Sequence, residues 1–323
     1  ERDSVMVINT IPGGPSEKVG LRAGDRIVKV DGKNIAGIKI NNEKVMKLLK
    51  GPKDTKVNVS IFRRGLKKLN DFTITRGVIP TWSIDISYAV NASVGYIKLS
   101  KFSATTGDEL HEALIDLKSK GIKKIILDLR GNSGGYLQEA IAVADEFLPD
   151  DKLIVYTQGL HRPKQVAKST SGGLWEDKPL VVLIDEGSAS ASEIVAGAIQ
   201  DNDRGTIIGR RSFGKGLVQE QVSLSDGSAL RLTVARYYTP TGRCIQKPYS
   251  KGTEEYYMEY YHRMTDGELE NADSIKLNDS LKYKTPGGKT VYGGGGIMPD
   301  VFIPIERNEG LKFYNESVNK GIL

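Results

Sequence analysis

PLVVLIDEGSASASEIVAGAIQD, residues 179–201, holds the decisive pattern of the chain. Its first seven residues form a short apolar run rich in valine, leucine and isoleucine, the mark of a strand buried on both faces. SEIVAGAIQD then reads as a helix. Between them stand Ser188, Ser190 and Ser192 at alternate positions. One reading is scaffold: Ser190-Ala-Ser-Glu193 has the form of a capping box with Ser190 as N-cap, and small residues suit a tight turn. The other is chemical. A serine on a strand-to-helix turn presents its hydroxyl at the sheet edge, and the next amides lie at a helix N-terminus, where free N–H groups and the dipole favour an anion. Only Ser190 sits mid-turn. Ser188 is nearer the strand and Ser192 falls within the first helical turn. The Ala191 amide would then stabilise an oxyanion.

Outward from this stretch, strand and helix patterns alternate. SVGYIKLSKF reads as a strand. TTGDELHEALIDLKSKG reads as a helix with Leu110, Ala113, Leu114 and Leu117 on one face, a capping box at Thr106 and Glu109, and a stop at Gly121. IKKIILDL is a buried strand, RGNSGG a glycine-rich loop, and YLQEAIAVADEFL a second helix. KLIVYT and GTIIG are further strands. This alternation predicts an α/β domain with a largely parallel sheet, its sites on loops at the strand C-terminal ends; RGNSGG and EGSASAS are both such loops. Beyond residue 216 the chain becomes strand-rich. TEEYYMEYYHRMTDGELE (253–270) reads as a surface helix or an insertion. Residues 3–76 differ: short strands, a turn at Asp31-Gly32, and a helix NNEKVMKLLKG that stops at Gly51-Pro52. Two domains are expected, 1–77 and 78–323.

Composition narrows the chemistry. The 323 residues carry a net charge of +6, but Lys and Arg are scattered with no dense basic block, so no nucleic-acid partner is expected. Cys244 is the only cysteine, which excludes an internal disulfide framework. His111, His161 and His262 are far apart in sequence, so no metal is expected and each reads as a surface residue. No run of about 18 apolar residues exists to span a membrane. The start at Glu1, with no signal-peptide pattern, reads as a processed or trimmed piece of a longer chain.

A nucleophilic serine needs a base, and without a suitable histidine the candidate is lysine. GRRSFGKGLVQEQ (209–221) sets Lys215 between two glycines that let the backbone pass close to another loop. A lysine acts as a base only when neutral, a form that desolvation favours. Gln219 would orient the amine without adding charge, whereas a carboxylate there would hold it protonated. A solvated turn lysine is the plain alternative. The stretch also matches GxxxxGK of phosphate-binding loops, but Gly216 stands where Ser or Thr is needed and a strand follows where a helix should.

Taken together, DLRGNSGG (128–135), DEGSASASEIVAGA (185–198), GRRSFGKGLVQ (209–219) and the closing GGGGIMPD resemble the carboxyl-terminal processing proteases, the tail-specific S41 peptidases that use a Ser/Lys dyad. The resemblance implies a crotonase-like α/β serine protease core preceded by a PDZ domain. It implies Ser190 as nucleophile, Lys215 as base and Gln219 as its partner. An amide of Gly134 or Gly135 would join Ala191 in the oxyanion hole. The implied function is a serine endopeptidase cutting proteins or peptides near their C-terminus, or else a non-catalytic peptide-binding homologue. Substrates bound by their C-terminal region, no cofactor, and a periplasmic or cell-envelope setting follow from the family, and a homodimer is compatible with it. INTIPGGPSEKVGLRAGDRIVKVDGKNIAG (8–37) is similar to a PDZ domain. Only Glu1, Arg2 and Asp3 precede SVMVINTI, so the first PDZ strand is expected to be missing. Val45 and Leu48 would line the peptide groove or pack in the core.

Overall fold

A computed structural model describes residues 4–11, 13–79, 81–306 and 316–317. Glu1, Arg2 and Asp3, on which the expectation of a missing first strand turns, lie outside them. The chain divides into two compact units, Glu1–Thr81 and Trp82–Leu323.

The first unit is an antiparallel sheet of β1 (Val5–Met6), β2 (Arg26–Val30), β3 (Lys33–Asn34), β4 (Lys56–Phe62) and β5 (Asn70–Thr75), in the order β1-β2-β4-β5 with β3 on β2. KVNVSIF alternates with period two, and it buries Val57, Val59 and Ile61 on one face. With Leu21, Ile27, Val30, Ile35 and Ile74 these make the core. Two helices cover it, α1 (Pro15–Lys18) and α2 (Asn42–Leu49). Asn41 caps α2 by accepting the Lys44 amide at 2.9 Å, and the Arg76 guanidinium closes its far end on the carbonyls of Leu48 and Leu49.

Asp25 is buried and accepts both Nε and Nη2 of Arg63 at 2.7 Å, with the Arg22 amide at 2.8 Å. The Arg63 hydrogen bonds hold its carboxyl below the ordinary value, against burial. A lowered folded value means stability that is complete above the unfolded carboxylate range near about 3.9 and is lost as pH falls through the folded value. Urea unfolding of the whole chain, followed by NMR of the β4 methyl groups at stepped pH, should show this acid loss. Asp25→Asn should flatten it; an unchanged acid limb in that variant would assign the loss to another group.

The second unit holds a six-stranded sheet, order β17-β12-β11-β8-β7-β6. Its strands are β6 (Ile84–Ala89), β7 (Val94–Leu99), β8 (Lys124–Asp128), β11 (Leu180–Ile184), β12 (Thr206–Gly209) and β17 (Val301–Phe302). Every neighbouring pair is parallel except β6 with β7. A second sheet is antiparallel, order β10-β9-β14-β13, from β9 (Leu153–Gln158), β10 (Gln165–Lys168), β13 (Leu217–Ser223) and β14 (Ala229–Tyr238). KLIVYT, read with the parallel strands, thus belongs elsewhere. As β9 it pairs with β10 and with Arg236–Tyr238 far downstream, a partner that local periodicity does not announce. A small pair, β15 (Lys282–Lys284) and β16 (Thr290–Tyr292), completes the strands.

Helices α3 (Thr106–Ser119), α4 (Leu137–Asp145) and α5 (Ala191–Asp201) pack within this unit, and α6 (Thr253–Thr265) takes up the tyrosine-rich segment. Every residue of α5 is buried: its middle, Ile194–Ile199, is small and apolar, and the polar Ser192, Glu193, Gln200 and Asp201 stand at its two ends. The capping box expected at Thr106 does not form. Thr106 lies inside the helix with its hydroxyl on Ser83, and Glu109 accepts the amides of Ser83 and Ile84 instead. Adjacent parallel strands β8 and β11 bring the RGNSGG and EGSASAS loops out side by side, with Leu183 opposite Asp128.

Candidate active site

Ser190 closes the turn between β11 and α5 with φ 56° and ψ −114°. This is left-handed backbone that a residue with a Cβ rarely adopts, at a cost of about 1–3 kcal/mol. Its neighbours hold it there. Ser188 and Ser192 are fully buried. Ser188 donates to the Leu129 carbonyl at 2.8 Å and accepts the Asp185 amide at 3.0 Å. Ser192 donates to the Asn132 carbonyl at 2.9 Å, which also receives the Ala189 amide. Two of the three serines are therefore stitched into the 129–132 loop, and only Ser190 is partly open to solvent. The Ala191 amide finds no acceptor among the described residues, as first-turn amides do.

The glycine loop meets this turn edge to edge. Asn132 is buried, donates to the Leu99 carbonyl and accepts the Gly134 amide, both at 2.9 Å. A Cβ on Gly134 would stand 2.7 Å from both the Ser190 Cβ and the Ala189 carbonyl, so only glycine allows this approach. A Cβ on Gly135 would strike the Phe102 carbonyl. The Gly135 amide, unlike that of Gly134, has no acceptor among the described residues. Buried Asp128 anchors the loop by accepting Tyr96 Oη at 2.6 Å, the Arg130 amide at 2.8 Å and the Arg130 guanidinium at 2.7 Å. Burial pushes the Asp128 carboxyl up, but the Arg130 and Tyr96 hydrogen bonds outweigh it and hold it below its ordinary value. Burial and the bond to Asp128 push the Tyr96 phenol up to about 12.

The lysine loop joins the serine turn through Glu193. This carboxylate is fully buried and accepts four donors: Ser190 N–H at 2.8 Å, Lys215 N–H at 2.8 Å, Gly214 N–H at 2.7 Å and Ser212 Oγ at 2.5 Å. Burial raises its pKa against all four. Buried Tyr237 adds a second tie, its hydroxyl donating to the carbonyls of both Ser190 (3.1 Å) and Lys215. The Lys215 side chain is half-buried, and its Nζ makes no hydrogen bond or ion pair among the described residues, so its position is set by its backbone.

A cleft of about 540 Å³ is lined by Ser190, Ala191, Gly134, Gly135, Lys215 and Gln219. Leu137, Ile194 and Val218 give it an apolar floor. None of the three histidines lines it. Among the described residues no cluster of three or more His, Cys, Asp or Glu could hold a metal, and no helix is long and apolar enough to cross a membrane. In the first unit the two proposed groove residues separate. Val45 lines an open groove of about 470 Å³ with Val5, Met6, Ile8 and Ile40, whereas Leu48 packs against the core.

The sequence reading saw Glu193 only as half of a capping box, and it missed Asn132 and Tyr237. Asn132 lies inside a quoted motif, but nothing local marks Tyr237, which arrives from β14 of the antiparallel sheet.

A strand-to-helix serine beside helix-terminal amides in an α/β core is an arrangement suited to acyl transfer. The chain belongs to peptidase family S41, whose sequence profile matches residues 93–255, and a PDZ domain profile matches residues 7–63. It is 42% identical over 252 residues to a carboxy-terminal-processing protease of Bartonella bacilliformis, covering 76% of this chain and 57% of that protein. It is 39% identical over 250 residues to a carboxyl-terminal-processing protease of Synechocystis, covering 76% and 58%. A solved structure assigned to the S41 proteases, from Bacteroides fragilis, matches at 17% identity with a TM-score of 0.54 over 99% of this chain and 79% of that one, a likeness of fold. The chain thus spans less than two thirds of the length of these curated relatives.

Proposed function

We propose that this chain is a serine endopeptidase that cuts protein or peptide chains near their C-terminus. Ser190 Oγ attacks the scissile carbonyl carbon while the neutral Lys215 amine takes its proton. The oxyanion forms against the amides of Ala191 and Gly135, since the Gly134 amide is already engaged by Asn132. Lys215 then gives the proton to the departing amine, and water, deprotonated by the same lysine, releases the acyl group from Ser190. Gln219 lines the same cleft, and its hydrogen bond to the Lys215 amine is expected to form when substrate is in place.

One observation carries this reading. Of three serines on the turn, two are sealed and hydrogen-bonded, and the third shares a cleft with two unused amides and with Lys215. The relatives are carboxyl-terminal-processing proteases, which supports this substrate class.

The test is cleavage of an unfolded protein with an apolar tail, together with labelling by a serine-reactive phosphonate. Expected are cleavage products shortened at the C-terminus, one phosphonate per chain located on Ser190 by peptide mapping, and loss of both on Lys215→Ala. Labelling of another serine, or undiminished cleavage by Lys215→Ala, would sink the assignment.

A further inference from the structure

A second cavity, of about 530 Å³, opens on the other side of the lysine loop. It shares Ser133, Lys215, Leu217 and Gln219 with the cleft, but neither Ser190 nor Ala191 nor Gly135 lines it. Its far wall is aromatic: Phe213, Tyr249, Tyr256 and Tyr257, the last two from the N-terminal part of α6. We propose that this cavity receives the leaving half of the substrate, and that its rings select an apolar first residue after the cut. The inference rests on the reading of Ser190 and Lys215 as nucleophile and base.

The side follows from the chemistry. The acyl half is held where its carbonyl oxygen meets the Ala191 and Gly135 amides. The base that takes the serine proton must hand it to the departing amine, so it faces the leaving half. A space that contains the base and lacks the oxyanion donors is on the departing side.

The selectivity follows from the wall. Phe213 and Tyr256 meet edge to face with centroids 5.7 Å apart, and Tyr256 and Tyr257 do the same at 5.5 Å. Lys247 fixes the first pair from beneath. Its side chain is 3% exposed, and its Nζ lies 3.9 Å from the Phe213 centroid, 4.4 Å from that of Tyr256, and 2.9 Å from Glu259. The Phe213 amide donates to the Ser188 carbonyl, so the same ring is tied to the nucleophile turn. A wall held this way is preorganised and loses little entropy on binding. Tyr257 is 62% exposed, so its ring has area left to bury against a ligand. Lys215 is the single charged side chain in the lining, and the aromatic wall stands across from it. The cavity therefore favours apolar area over charge.

The test has two arms. In the first, peptides with one acyl half and either leucine, aspartate or lysine after the cut are compared by kcat/KM. Wild type should prefer leucine, and Tyr257→Ala should shrink that preference about tenfold, the scale at which apolar contacts discriminate. Tyr261→Ala, on α6 but outside the cavity lining, should leave it unchanged. In the second arm, peptides with a free leading leucine or aspartate are titrated calorimetrically into Ser190→Ala protein, with and without Tyr257→Ala. The leucine peptide should bind tighter, and the difference should vanish with the ring. Cleavage without leucine preference, a preference for lysine, or equal effects of Tyr257→Ala and Tyr261→Ala would overturn the subsite and leave the peptidase standing. Ring-dependent binding in a wild-type protein that cuts nothing would overturn the peptidase, and with it the leaving-half assignment, and leave the cavity a site for apolar peptide ends. Neither binding nor cleavage would overturn both.

Discussion

Ser190→Gly is expected to abolish peptide cleavage and at the same time to make the protein more stable. Loss of the nucleophile should lower kcat by about 10⁴- to 10⁶-fold. The backbone at this position has φ 56° and ψ −114°, and glycine adopts it without the Cβ conflict that serine suffers there. Relief of about 1 kcal/mol is the expected gain, partly offset by the greater freedom of glycine in the unfolded chain. Ser190→Ala should be equally inactive but gain nothing, because alanine keeps the Cβ. Ser192→Ala should keep most activity, since its hydroxyl only meets the Asn132 carbonyl. Thermal unfolding and tail cleavage measured on the three variants separate the two effects. A fully active Ser190→Gly would mean that the turn serves another residue. An inactive one that is less stable than Ser190→Ala would mean that the turn is not strained.

Glu193→Gln should damage chemistry and folding together. Oε1 accepts Ser212 and Gly214, and Oε2 accepts Ser190 and Lys215. A glutamine amide keeps one acceptor atom and turns a donor toward the other pair of donors, so two bonds are lost in a site closed to water. The expected destabilisation is about 2–4 kcal/mol. Shifting the Ser190 and Lys215 backbones apart should lower kcat about 10²-fold, the usual cost of misplacing a reacting group by an ångström or so. KM for the tail should move little, because Glu193 does not line the cleft. Phosphonate labelling of Ser190 should slow by the same factor as kcat. Wild-type kcat in this variant would show that the carboxylate does not position the two loops.

How far these features were legible in the sequence depends on the range over which they act. The strand, turn and helix around Ser190 are local: an apolar run, small residues and a Ser-x-x-Glu box declare them within twenty residues. The glycine loop and the lysine loop are also local in form, which is why Gly134, Gly135, Lys215 and Gln219 could be named from their motifs. What could not be read is which elements lie against which. β9 follows α4 as a parallel strand would, yet it joins the antiparallel sheet through β14. Tyr237 belongs to that same long-range pairing, and the bonds that Glu193 accepts from the lysine loop join residues more than twenty apart. Thr106 and Glu109 have the spacing of a capping box, but Ser83 and Ile84, from the strand in front, compete for both side chains and win.

The far edge of the six-stranded sheet carries the part of the lysine loop's support that is made last. β17 pairs with β12, and just before it Ile297 exchanges hydrogen bonds with Ser212, whose hydroxyl donates a hydrogen bond to Glu193. Asp300 accepts the Ile207 amide and the side chain of Gln200. The support beneath the lysine loop is therefore made of residues near 297–302, translated long after Ser190 and Lys215 have left the ribosome. Contacts of such high sequence separation form late. A nascent chain holds both reactive groups for the time it takes to synthesise some eighty more residues, at about 5–20 residues per second, without the strand that seats them. On the proposed reading of Ser190 and Lys215, the order of translation thus supplies the two groups first and their support afterwards.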